Sequence, residues 1–119
     1  MTNLHFVIQE HTTPSGVHWD LMLEHEGTLW TWRLEVRPEE IGKETVSAER
    51  IFDHAIRFLR YEGPVQNRTG QVEIADKGKL RWETLTSSHM QCQLDGRILK
   101  GLFCLTLQNE PIWELKREN

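Results

Sequence analysis

Phe6-Val7-Ile8-Gln9-Glu10-His11, the turn-like Thr12-Thr13-Pro14-Ser15-Gly16, and His18-Trp19-Asp20-Leu21-Met22 form the stretch on which the reading of this chain depends. The outer segments read as extended strands. The middle is turn chemistry, because proline presets one backbone angle and glycine admits a left-handed one. Residues two apart in a strand share a face, so Val7, Gln9 and His11 point one way, while His18, Asp20 and Met22 share a face of the second strand. Pairing across the turn then sets His11 opposite His18 and Asp20. Two imidazoles and a carboxylate make a two-His, one-carboxylate ligand set, which leaves coordination positions open for water and substrate. The competing reading is that these are surface histidines beside a turn and that Asp20 is a solvated strand residue.

The same alternation continues on either side. Residues 4–10, 17–24 and 28–36 keep a period of two, and His25-Glu26-Gly27 supplies a tight connection, which predicts a meander. Pro38 to Lys43 reads as a loop with a short helical turn, and Ser47-Ala48-Glu49-Arg50 as a helix start or a loop. The segment from Ile51 to Gly63 fits a short helix or a strand, and periodicity does not separate the two. Short strands follow at 70–76, 79–82, 89–94, 98–107 and 111–116, with turns expected at Lys77-Gly78, Asp95-Gly96 and Asn109-Glu110. The fold predicted is all-β, a small antiparallel β-barrel of about eight strands with a short helical or loop insertion, since closure removes exposed edges. Trp82, Leu94, Phe103, Leu105 and Trp113 sit in period-two strands and are expected in its packing. The paired Trp30 and Trp32 are read as barrel-wall residues rather than base-stacking platforms.

A chain of 119 residues predicts a single domain over 1–119 with one core. No apolar run approaches the ~18 residues of a membrane span, and Met1-Thr2-Asn3 leads into a strand rather than a signal peptide, so a cytoplasmic location without membrane contact is expected. Cys92 and Cys104 lie in apolar-alternating segments and are expected to be buried, reduced thiols. A net charge of −4 argues against coating duplex DNA with the whole surface and leaves room for a local basic patch.

These residues carry a family resemblance. Residues 6–11, His18-Trp19-Asp20 with Leu23-Glu24, Gly27 and Trp32 resemble the opening of the 3′-phosphoesterase domain of DNA ligase D. Asp53-His54, Tyr61-Glu62-Gly63, Asp76-Lys77-Gly78, Trp82, Leu94-Asp95-Gly96, Leu99-Lys100-Gly101 and Trp113-Glu114-Leu115-Lys116 follow in the family's order. The resemblance implies a small β-barrel that binds a divalent ion, manganese first and zinc or another transition metal second, and that trims nucleic-acid 3′ ends. It makes His11, His18 and Asp20 the metal ligands and His54 the catalytic, phosphate-facing histidine. The partners it implies are a nucleic-acid 3′ end or a phosphorylated small molecule, alongside a DNA ligase and polymerase in DNA repair.

The chain also departs from the family pattern. Met22 stands where the family has a phosphate-binding arginine, Phe58 where it has a tyrosine, and Phe52 where it has an acidic residue. The loss of a guanidinium and a phenol removes part of the phosphate grip. Weak phosphoesterase activity is therefore expected, with Arg33, Arg37 or Arg57 as replacement substrate-binding cations, and Met22→Arg is expected to raise activity or phosphate affinity. Two other functions compete: a non-catalytic module that binds a nucleic-acid end or a phosphate, and an iron(II) oxygenase built on His18, Asp20 and His89 with Arg97. The oxygenase reading leaves His11 idle.

Overall fold

Antiparallel strands make up most of the described residues. The computed structural model describes residues 3–65 and 70–119. Its strands are β1 (Leu4–Thr13), β2 (Gly16–His25), β3 (Thr28–Leu34), β4 (Val46–Ala55), β5 (Gly63–Val65), β6 (Gly70–Leu85), β7 (His89–Gly96), β8 (Lys100–Asn109) and β9 (Ile112–Arg117). The order β1-β2-β3-β4-β9-β8-β7-β6 is closed by pairing of β6 back onto β1, giving an eight-stranded antiparallel barrel. The short β5 pairs only with the first residues of β6. Closure leaves few unpaired edges, as the strand count predicts.

Inside the barrel, Phe6, Ile8, Leu21, Trp32 and Trp113 are buried in one apolar cluster. Leu94, Phe103 and Leu105 join it, and Trp82 packs against it while its indole N–H donates to the Glu24 carbonyl at 3.1 Å. The outer face of β1–β3 is covered as well. Val7, Met22 and Leu29 are buried beneath Ile56, Phe58 and Leu59 of a 3₁₀ turn spanning Ile56–Leu59, with Ile74 beside them. A single 3₁₀ turn has little stability of its own. Burying three aliphatic or thioether side chains, at ~1.5–3 kcal/mol each, holds it in place.

Parts of the expected strand pattern are corrected. Residues 47–50 are neither helix nor loop: they belong to β4, which pairs with β3 on one side and β9 on the other. The ambiguous segment after Ile51 is both kinds of structure, strand as far as Ala55 and 3₁₀ turn beyond it. Lys77-Gly78 is not a turn, since β6 runs straight through it. A Cβ at Gly78 would collide with the Asp95 carbonyl oxygen, so this glycine serves the close approach of β6 to β7 rather than a bend.

Pro38–Glu40 forms a 3₁₀ turn. The turn expected at Asp95-Gly96 is corrected: both residues end β7, Asp95 paired with Lys100 and Gly96 with Gly78, and the chain turns at residues 97–99, while the last hairpin turns at Glu110 and Pro111, one residue beyond the expected Asn109-Glu110. Cys92 and Cys104 are free and buried, and burial pushes the Cys92 thiol up to about 12, which makes it a packing residue. Among the described residues, no helix is long and apolar enough to cross a membrane.

Candidate metal centre and cleft

The β1–β2 register sets His11 directly opposite His18 and Gln9 opposite Asp20. Side chains across a strand pair stand close enough to touch, and the diagonal neighbour is within reach of an imidazole. His11, His18 and Asp20 each offer one ligand atom, and these atoms lie within 4.8 Å of one another. Asp20 Oδ2 is 3.6 Å from His11 Nδ1, and Asp20 Oδ1 is 3.4 Å from His18 Nε2. None of these is a hydrogen bond. His11 Nε2, His18 Nε2 and Asp20 Oδ1 are all buried without a partner. Buried polar atoms in native proteins are normally satisfied, so three orphans on one spot suit a ligand that is itself a multivalent electrophile. Burial, then the neighbouring His18, lowers the His11 pKa from its ordinary value and favours the neutral imidazole, the form that coordinates. Space beside His11 is maintained by Gly70, where a Cβ would fall 2.6 Å from Nε2.

His54 reaches the same region from β4 through an irregularity in pairing. Thr31 pairs with Ile51 and Leu29 with His54, so β4 carries one residue more than β3 over this stretch. Such a bulge re-aims the side chains around it. His54 Nδ1 is 3.1 Å from the Phe52 carbonyl and 3.0 Å from Thr31 Oγ1, while that hydroxyl lies 3.1 Å from the Leu29 carbonyl. A carbonyl only accepts, so Nδ1 carries the hydrogen and Nε2 is the free nitrogen. His54, His11 and Asp20 line one cleft of about 540 Å³, with Gln9, Arg57 and Tyr61 among its other walls. Gln9 is buried, and its amide donates to the Phe58 and Tyr61 carbonyls at 3.0 Å each, strapping the 3₁₀ turn to β1.

The three candidate arginines separate. Arg33 stands beside the cluster, with a buried Nε 3.8 Å from Asp20 Oδ1. Arg57 lines the cleft, its guanidinium 4.5 Å from the Phe58 ring centroid. Arg37 is not brought to the cleft; it lies 5.9 Å over the ring of Trp19, whose side chain leaves β2 on the face opposite Asp20. His89, required by the oxygenase alternative, is elsewhere, 3.4 Å from Thr106 Oγ1 and 3.7 Å from Cys104 Sγ. Thr31 and Gln9 were not legible as site residues. Their only sequence signal is a place two residues from another polar site residue on the same strand face, Gln9 beside His11 and Thr31 beside Arg33.

Met22 also reverses an expectation. It is 0% exposed, at the centre of the outer cluster under Phe58. An arginine there would bury a guanidinium among Val7, Leu29 and Ile74. Met22→Arg alone is therefore expected to cost on the order of 3 kcal/mol or more and lower the melting temperature by roughly 10 °C, with no gain in activity. A variant that melts with the wild type and binds phosphate more tightly would show that the cluster yields and the guanidinium reaches the cleft.

Comparison with known proteins bears on the same residues. The model of the DNA ligase D 3′-phosphoesterase domain matches residues 9–107, from Gln9 of β1 to Leu107 of β8. The chain is 28% identical over 116 residues to the multifunctional non-homologous end joining protein LigD of Pseudomonas aeruginosa, a match that covers 89% of this chain and 14% of that protein. A match over that much of the barrel includes both strands of the His–His–Asp cluster, the bulged strand that carries His54 and the β7–β8 hairpin. The chain belongs to the DNA ligase D 3′-phosphoesterase domain family.

Proposed function

We propose that this protein is a divalent-metal-dependent phosphoesterase acting on 3′-phosphorylated nucleic-acid ends, an end-processing role in DNA repair alongside a ligase and a polymerase. The observation that carries the proposal is the convergence of His11, His18 and Asp20 with three buried, unpartnered ligand atoms, at the cleft that His11, Asp20 and His54 line. These three residues would hold the metal, and their nitrogen and oxygen donors suit manganese, with zinc or another transition ion as alternatives. A divalent ion held there supplies Lewis acidity toward a phosphate oxygen and toward water. His54, with Nδ1 anchored, presents Nε2 to the phosphate; protonated, it donates a hydrogen bond to the charge that develops there. Arg33, beside Asp20, and Arg57, in the cleft wall, add positive charge. The free cysteines fit a reducing, cytoplasmic setting.

One observation favours a second reading, a module that holds the end without turning it over. Met22 and Phe58 place apolar packing where the resemblance puts an arginine and a tyrosine. Phosphate release from an oligonucleotide with a 3′-phosphate, with and without manganese, separates the two. The first reading expects slow, manganese-dependent release; binding of that end without release would establish the second.

Thr31 is a positioning residue in this scheme. Thr31→Val removes the hydroxyl that faces His54 Nδ1 and keeps the shape of the side chain. Turnover is expected to fall about 10-fold, the usual scale for an outer partner that orients a reacting group, with unchanged manganese affinity. Because His54 acts protonated, the alkaline limb of the pH–rate profile should shift, and Thr31→Ser should restore it. A Thr31→Val profile that overlays the wild type would remove Thr31 from the mechanism.

A further inference from the structure

Phe52 is 69% exposed, the most exposed large apolar side chain among the described residues, and it stands at the rim of the cleft that contains His11, Asp20 and His54. Its position follows from the β4 bulge, which leaves Phe52 and His54 side by side. The phenyl ring stacks on the imidazole with centroids 4.7 Å apart and planes 9° from parallel. One face of Phe52 is therefore fixed in orientation and the rest is open. Isolated apolar exposure at a strand end needs no explanation, but a ring held rigid at the mouth of a polar cleft differs. The cleft, about 540 Å³, is in the range that takes a whole small molecule rather than a phosphate group alone.

We propose that Phe52 is a stacking platform for the nucleobase of the 3′-terminal nucleotide, so that this protein selects ends by the presence of a terminal base as well as by the phosphate. The proposal rests on the reading above. A nucleotide matches both parts of the cleft: a phosphate for the His11–His18–Asp20 end with His54, and an aromatic plane for the phenyl ring. Arg57, at van der Waals distance over Phe58 in the same wall, supplies a cation for the adjoining backbone phosphate. Base–aromatic stacking tolerates any base, because every base has a π-face. The preference should therefore be for a base over none, not for one base over another.

The test compares two single-stranded oligodeoxynucleotides that end in a non-hydrolysable 3′-phosphonate, one with a normal terminal nucleoside and one abasic there, by fluorescence anisotropy with manganese. Phosphate release from the 3′-phosphate counterpart is measured in parallel. Wild type is expected to bind the base-bearing end at least about fivefold more tightly. Phe52→Ala should bring that ratio close to one, Phe52→Leu should recover little of it, and Phe52→Trp should keep or raise it. The exposed position removes no core packing, and an unchanged melting temperature checks this. A wild-type ratio of one, or a ratio that persists in Phe52→Ala, overturns the platform, while phosphate release in the same samples leaves the phosphoesterase reading standing. Preference that tracks apolar bulk, with Phe52→Leu equal to wild type, also overturns it and points to an apolar protein side chain as the occupant. If wild type neither binds nor processes either end, the phosphoesterase reading falls and the platform falls with it.

Discussion

Asp76→Ala should unfold this barrel more readily than any other single substitution of a polar residue, by an expected ~3–5 kcal/mol. Asp76 is buried near the middle of β6, and its carboxylate accepts four backbone N–H groups. Lys77 and Arg97 donate to Oδ1 at 2.9 and 2.8 Å, and Ile98 and Leu99 to Oδ2 at 3.2 and 2.8 Å. Three of these donors are consecutive residues of the β7–β8 turn, across which the Gly96 N–H also donates to the Leu99 carbonyl at 2.8 Å. Each hydrogen bond to a charged group is worth ~1.5–3 kcal/mol, and the losses overlap because they share one carboxylate. Asp76→Asn keeps the shape but presents an amide NH₂ to N–H donors, so it should cost about half as much. Urea unfolding of both variants checks this. A loss below ~1 kcal/mol for Asp76→Ala would mean that water takes over the freed amides.

That network explains why the motifs behind the family resemblance divide into two kinds. Asp76-Lys77-Gly78 and Leu94-Asp95-Gly96 are parts of a structural tie: the carboxylate binds the turn, and a Cβ at Gly96 would stand 2.5 Å from Asp76 Oδ2. His11, His18 and Asp20 build the candidate site. Sequence spacing alone does not tell these kinds apart, and it reads Gly78 as a turn because glycine serves close approach and bending equally.

The meander and the barrel were legible for a plain reason. The strand period and the turn chemistry between β1 and β2 act over a few residues, and together they set the His11–His18 register. The outer cluster was less visible, although Phe6-Val7-Ile8 and Leu21-Met22-Leu23 do carry its signal. Three consecutive apolar residues in a strand mark a sheet covered on both faces. Read that way, Met22 is a packing residue rather than a missing cation. What covers the second face was hidden, because Ile51 to Leu59 suits either helix or strand and only tertiary packing decides where the strand stops.

Asp20→Asn should have the opposite signature to Asp76→Ala: a large loss of metal binding and turnover with almost none of stability. Both aspartates are buried, but their surroundings differ. Asp76 has every acceptor role filled, whereas Asp20 Oδ1 has no hydrogen-bond partner, with His18 Nε2 at 3.4 Å and Arg33 Nε at 3.8 Å. A buried acceptor left unsatisfied costs ~1–3 kcal/mol, so Asp20 weakens the fold it sits in. Local unfavourability of this kind is retained where a bound ligand offsets it. Replacing the carboxylate by an amide removes the one anionic donor facing two imidazoles. Manganese affinity should then fall at least about 10²-fold, the upper end of what outer partners of metal ligands cost, and phosphate release about 10³-fold or more. Without manganese, the melting temperature of Asp20→Asn should equal or slightly exceed that of the wild type. With saturating manganese, only the wild type should gain stability, as linkage requires of an ion that binds the folded state. A variant that loses stability without metal, yet still melts higher with manganese as the wild type does, would place Asp20 with Asp76 among the residues that hold the fold, and the metal would have to be held elsewhere.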